Sequence, residues 1–139
     1  HPMTDQPLLV KNIMSAELKT IDANASAQDA GKMMQEEHIG AIVVIEEKQL
    51  VGIITERDLM KHIIVPGKLS AEVPIKDIMT KAVVTIHDDA PYYQALATMT
   101  SAKVKKIVVL SGEQPVGILT ETDILKLFSK KWADDLKTD

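Results

Sequence analysis

Apolar positions along this chain follow two rhythms, and the pair of rhythms occurs twice. Behind Ser26, which can cap a helix with Asp29 at its third position, Ala30, Met33, Met34 and Glu37 recur at three-to-four spacing. That spacing predicts an amphipathic helix. Ile42-Val43-Val44-Ile45 and Leu50-Val51-Gly52-Ile53-Ile54 then flank the polar stretch Glu46-Glu47-Lys48-Gln49, which reads as two strands around a turn. A second helix is expected from Thr55 through about Ile64.

The same order returns downstream. Ala90-Pro91 opens a helix, Ile107 to Leu110 reads as a strand, Ser111-Gly112-Glu113-Gln114-Pro115 as the turn and Val116 to Leu119 as the next strand. The last helix starts at Thr120, and short extended segments near Leu18 to Ile21 and Val83 to Ile86 precede the two units. The central strands are apolar at nearly every position, so they are expected to be covered on both faces.

The order returns because the chain is one unit written twice. Residues 10–61 align without a gap with 75–126 at a constant offset of 65, and 19 of the 52 positions are identical. A unit of about 50 residues buries too little surface to stand comfortably alone, so the copies are expected to pack on each other. The expected layout is a first unit over 8–66, a linker over 67–74 with Gly67 and Pro74, a second unit over 75–132 and a tail over 133–139. His1-Pro2 ahead of Met3 reads as a cloning remnant and is left out of the fold.

Composition narrows the function classes. The formal net charge of −4 argues against a general nucleic-acid binder, which carries a basic footprint, although the edge from Lys103 to Lys106 is locally basic. There is no cysteine, so disulfides and thiolate metal sites are excluded. No apolar run approaches the ~20 residues that span a bilayer, so a cytoplasmic protein away from the membrane is expected. His38, His62 and His87 lack metal-ligand spacing, and no metal site is expected. No nucleophile stands with a base and an orienting group, and no Gly-rich loop cradles phosphate, so there are no catalytic candidates and no enzyme is expected.

The candidate chemistry lies in the phrase that closes each copy, Gly52-Ile53-Ile54-Thr55-Glu56-Arg57-Asp58 and Gly117-Ile118-Leu119-Thr120-Glu121-Thr122-Asp123. Thr-x-x-Asp at a strand-to-helix junction makes a capping box, with the carboxylate in the first turn where the helix dipole favours it. It also suits a sugar diol and phosphate: a carboxylate accepts from vicinal hydroxyls while free backbone N–H groups donate to phosphate oxygen. Gly52 and Gly117 inside strand runs imply close approach of a backbone or a ligand.

The doubled pattern of Ile-Met-(Ser/Thr), a Thr-Ile strand, a helix, an Ile-Val-Val strand and Gly-x-x-Thr-x-x-Asp resembles a tandem pair of CBS domains over about 120 of the 139 residues. The resemblance implies an α/β (α+β) fold of two β-α-β-β-α units packed sheet to sheet with pseudo-two-fold symmetry. It also implies regulation rather than catalysis, through clefts that take an adenosine-containing ligand: AMP, ADP, ATP, NAD(H) or S-adenosylmethionine. No cofactor is required by it, and the regulated protein target is a separate, unknown partner.

Carried over residue by residue, the resemblance pairs Thr55, Arg57 and Asp58 with Val83, Val84, Val104, Lys105 and Lys106 in one cleft. It pairs Thr120, Thr122 and Asp123 with Leu18, Lys19, Ile39, Gly40 and Ala41 in the other, with Met14 nearby. Arg57 is the only arginine, and a planar guanidinium suits phosphate well. The cleft at Asp58 is therefore expected to prefer the more highly charged ligand, and that at Asp123 a less charged one, weakly or not at all. With four aromatic residues in the chain, the adenine is expected between aliphatic side chains such as Val84, Ile39 and Val104.

Leu125, Phe128, Trp132 and Leu136 stand three or four apart, so an extended last helix would carry an apolar stripe with the single Phe and the single Trp. Such a stripe either packs on the chain's own body or anchors a homodimer. The alternative function is accordingly a structural interaction module, with dimerisation as its task and vestigial clefts.

Overall fold

The computed structural model describes residues 7–15 and 17–137, with side chains described up to Ser129. Trp132 and Leu136 of the expected stripe lie outside the described side chains. In chain order the elements are α1 (Val10–Ile13), β1 (Thr20–Asp22), α2 (Ala27–Glu37), β2 (Ala41–Glu46), β3 (Gln49–Thr55), α3 (Glu56–Leu59), β4 (Thr85–His87), α4 (Tyr92–Ala102), β5 (Lys106–Ser111), β6 (Gln114–Thr120) and α5 (Glu121–Lys137). Each repeat thus reads β-α-β-β-α. The first strand of each, expected near Leu18 and Val83, begins two residues later in both copies.

Each repeat forms one three-stranded sheet. β1 runs parallel to β2 and β2 antiparallel to β3; β4, β5 and β6 repeat that order. The first hairpin turns through Glu47 and Lys48, both left-handed at φ 50° and 66°, which is the backbone that the tightest hairpins demand and that side chains resist. The second copy places Gly112 at φ 63° there, and its strand starts at Gln114 rather than Val116. Pro115 fits inside that strand because the ladder is already irregular between Val109 and Leu110, where Leu110 pairs Pro115 and Val109 pairs Gly117.

Ser26 caps α2 as its sequence position implies: Asp29 N–H donates to the Ser26 hydroxyl at 3.1 Å, and Ser26 N–H donates to the Asp29 carboxylate at 3.2 Å. The helix expected from Thr55 through about Ile64 runs that far, but not as one α-helix. After four α-helical residues it widens into a π turn over Met60–Ile64, where Val65 N–H donates to the Met60 carbonyl at 2.9 Å.

Contacts divide the chain into two compact units, and the division does not follow the repeat boundary. One unit is Leu18–Val83; the other joins the segment up to Glu17 with Val84 onward. The lead-in of each repeat therefore packs on the opposite repeat's sheet. Ile75 N–H donates to the Ala25 carbonyl and Val10 N–H to the Ala90 carbonyl, both at 2.8 Å. Lys76 N–H to Ala23 and Lys11 N–H to Asp88 match at 2.9 Å. The linker is tied down as well, since Ala27 N–H donates to the Val73 carbonyl at 2.8 Å.

Each unit has its own aliphatic core. Ala30, Met34, Ile42, Val44, Ile54 and Ile75 centre the first, and Val10, Ala95, Met99, Ile107, Val109 and Leu119 the second. Burying each Val, Leu, Ile or Met among them stabilises by about 1.5–3 kcal/mol. Val43 and Val108 point to the other face of their sheets and are equally buried, so the central strands are covered on both faces.

The two strand glycines show why the lead-ins fit. A Cβ on Gly52 would lie 2.6 Å from Met79 Sδ and 2.9 Å from the Thr80 carbonyl; one on Gly117 would lie 2.6 Å from the Ser15 carbonyl and 2.8 Å from Met14 Sδ. The neighbour that requires glycine is backbone. Gly31 in α2 differs, with only Leu59 Cδ1 at 3.9 Å. Gly52→Ala and Gly117→Ala should each cost about 1–3 kcal/mol through overpacking, whereas Gly31→Ala should gain about 0.5–1 kcal/mol. Denaturant midpoints read the difference, and equal effects at the three positions would contradict the packing described.

Candidate functional site

Each Thr-x-x-Asp phrase lies where the last strand of a sheet becomes a helix, and each forms a reciprocal capping box. Thr55 N–H donates to Asp58 Oδ2 at 3.0 Å and Asp58 N–H to Thr55 Oγ1 at 3.2 Å. Thr120 N–H donates to Asp123 Oδ2 at 2.9 Å and Asp123 N–H to Thr120 Oγ1 at 3.1 Å. The motif therefore has a structural task in both copies. Both aspartates and both threonines remain half-buried, so they stay open to a solute.

The start of the preceding strand adjoins each capping box. Glu56 N–H donates to the Gly40 carbonyl at 3.0 Å, and Ala41 pairs with Thr55. In the other unit Glu121 N–H donates to the Lys105 carbonyl at 2.9 Å, and Lys106 pairs with Thr120. Inside its own unit, then, the Lys105-Lys106 backbone adjoins Thr120 and Glu121, while Gly40 and Ala41 adjoin Thr55 and Glu56. The expected pairing of these residues ran across the copies; the neighbours within a copy are these. Gly40 is also crowded, because a Cβ there would meet the Glu56 carboxylate.

The remaining candidates are placed as follows. Lys19 is not a free cation: its Nζ stands 3.5 Å from Glu37 Oε2, and its carbonyl accepts from Val43 N–H at 3.3 Å. Leu18, Val83 and Val84 are half-buried just ahead of β1 and β4, and the Val84 carbonyl accepts from Val108 N–H at 3.0 Å. Ile39 packs partly on the first core, Val84 and Val104 on the second, which leaves an aliphatic edge on each. Arg57 and Thr122 are exposed in the first helical turns. Two grooves of about 420 Å³ and 510 Å³ run beside the helices at matching places in the repeats, one including Val104, Lys105 and Glu121, the other Ile39, Gly40 and Glu56. Neither is lined by Thr55, Asp58, Thr120 or Asp123: the grooves reach the junctions only through Lys105 and Glu121 in one unit and Gly40 and Glu56 in the other.

One participant was missed in the sequence. Thr80 Oγ1 donates to Asp58 at 3.2 Å from Oδ1 and 3.3 Å from Oδ2, and Thr55 Oγ1 adds a bond to Oδ2 at 3.1 Å. The signal was present in the Ile-Met-(Ser/Thr) phrase, which repeats a hydroxyl at Ser15 and Thr80. A second grouping, His87, Asp88 and Asp89, has ligand atoms within 4.8 Å of one another on the exposed surface.

The comparisons agree with this architecture. The CBS domain family model matches residues 10–65 and 75–130. An uncharacterized protein of Methanocaldococcus jannaschii is 32% identical over 123 residues, covering 88% of this chain and 40% of that protein. A mitochondrial CBS domain-containing protein of Arabidopsis thaliana is 27% identical over 140 residues, covering 92% of this chain and 68% of its own length. The chain thus spans less than half the length of the first of these. Among solved structures, a CBS domain pair in complex with 5′-methylthioadenosine and S-adenosyl-L-methionine superimposes with a TM-score of 0.80 at 32% identity, covering 91% of this chain and 99% of that one. Among the described residues no helix is long and apolar enough to cross a membrane.

Proposed function

The chain belongs to the CBS domain family, and from that premise we propose that it is a regulatory module whose two half-sites sense an adenosyl ligand. CBS domain pairs are regulatory ligand-binding modules. The observation that carries the reading here is the capping box at Asp123. Asp123 takes one backbone hydrogen bond from Thr120, and at the adjoining strand start Lys106 pairs with Thr120 while the Lys105 carbonyl accepts from Glu121 N–H. A carboxylate with spare lone pairs accepts from a ribose diol, and two ammonium groups beside a helix start favour phosphate or another anionic group. The aliphatic edge at Val84 and Val104 suits the adenine face.

The half-sites are proposed to be unequal. Within its unit the Lys105-Lys106 backbone adjoins Thr120 and Glu121, and Arg57 directly precedes Asp58 in sequence. The neighbours within each unit thus favour the more highly charged ligand at Asp123, the opposite sign to that expected from pairing across the copies. Adenine nucleotides, NAD(H) and S-adenosylmethionine share the adenosine portion that this geometry suits. The regulated protein is a separate partner, and a cytoplasmic setting with regulation rather than catalysis is part of the same reading.

A second reading, self-association, is favoured by one specific feature. Tyr93, Leu96, Leu125 and Phe128 are exposed on α4 and α5, and Phe128 stands edge-on to Tyr92 at 6.1 Å between ring centroids. We propose that a second copy covers this face, in addition to ligand sensing rather than in its place.

A thermal-shift panel of AMP, ADP, ATP, NADH and S-adenosylmethionine should raise Tm for at least one compound, because a ligand at 100 times its Kd adds about 2.7 kcal/mol. Asp123→Ala should diminish that shift more than Asp58→Ala. No shift at millimolar concentration would leave the interaction role standing alone, and equal losses would contradict the asymmetry. For self-association, sedimentation equilibrium should give a dimer that Phe128→Glu dissociates; a wild-type monomer would contradict it.

A further inference from the structure

The two half-sites share a sequence motif but not a hydrogen-bonding state. Asp58 receives the Thr55 amide, the Thr55 hydroxyl and the Thr80 hydroxyl, which reaches both carboxylate oxygens. Both nearby hydroxyl protons are thereby committed to it. Asp123 receives the Thr120 amide, and among the described residues no hydroxyl reaches it.

Backbone placement does not account for the contrast. Thr80 N–H donates to the Ile53 carbonyl and Ile53 N–H to the Thr80 carbonyl, both at 2.9 Å. Ser15, at the matching repeat position, exchanges the same pair of bonds with Ile118 at 3.1 and 3.3 Å. Both segments therefore present a hydroxyl beside the same corner of their sheet. A threonine side chain is β-branched and holds fewer χ1 rotamers than serine. The threonine hydroxyl engages its carboxylate and the serine hydroxyl does not.

We propose that Thr80 is a latch on Asp58: its hydroxyl occupies the carboxylate as a ligand diol would, so a ligand must displace it, and Thr80 sets the difference in affinity between the half-sites. This rests on the reading of Asp58 as a diol acceptor. The half-site at Asp123, without a latch, fills first. Ligand entry at Asp58 releases the Thr80 side chain from the carboxylate, on the segment whose backbone is bonded to β3.

Two measurements on the full chain test the latch. In calorimetric titrations with AMP and with S-adenosylmethionine, Thr80→Val should tighten the weaker site about three- to tenfold. It should leave 2′,3′-dideoxy-AMP, which lacks the diol, unchanged, and Ser15→Ala should alter neither site. Unchanged or weakened binding of both diol ligands by Thr80→Val would overturn the latch. The second measurement needs no ligand. Thr80→Val should lower Tm by a few degrees in the wild-type background and by little in an Asp58→Ala background. Equal losses in both backgrounds would overturn the latch whatever binds. Coupling in this cycle, with no binding of either compound to any variant, would support the latch and overturn the ligand reading.

Discussion

At Gly52 and Gly117 a second backbone comes so close to the strand that no side chain fits between them, and the outer edge of both sheets depends on that contact. At Gly52 the neighbour is Met79-Thr80 and at Gly117 it is Met14-Ser15, segments that lead into the opposite repeat. Each lead-in closes the outer edge of its strand with two backbone hydrogen bonds, at Ile53 and at Ile118. An edge left open would offer unpaired N–H and C=O groups to other chains. The same contact delivers a hydroxyl to the strand end where the capping box begins.

The capping box turns that geometry into chemistry. A strand running into a helix leaves the first amides of the helix without partners, and Thr-x-x-Asp satisfies some of them while holding a carboxylate half-exposed at the junction. Local stability and the capacity to bind therefore share the same atoms, which is why the motif alone does not distinguish a cap from a ligand site. Lys105 and Lys106 beside Thr120, and the Thr80 hydroxyl on Asp58, are more than a cap requires. They also make the two capping boxes unequal.

Much of this was legible in the sequence. The constant offset, the Ser26 and Thr55 caps, the paired apolar runs and the CBS resemblance together specify both sheets and their helices. Register and exchange were harder to read. A strand of three residues such as Thr20–Asp22 carries too little alternation to fix its start, and Pro115 reads as turn because the irregular ladder that accommodates it leaves no local trace. The π turn after α3 has no propensity signal. Gly52 and Gly117 announced a close approach without saying whose; ligand and backbone impose the same demand, and the structure assigns it to backbone. Lys19 looked like a spare cation until Glu37, eighteen positions on, came within reach. Thr80 was invisible as a site residue because its partner lies in the preceding repeat, and an internal alignment compares repeats rather than joining them.

The claim on which the account rests is that the strand-to-helix junctions, rather than the grooves beside the helices, receive the ligand. Two-dimensional amide NMR during titration with AMP or S-adenosylmethionine reads this directly. The account predicts that the amides of Lys106, Thr120, Thr122 and Asp123 move first, and those of Thr55, Arg57 and Asp58 at higher concentration. Shifts confined to the groove residues Leu96, Met99, Met34 and Met60, or no shifts for either compound at millimolar concentration, would contradict it.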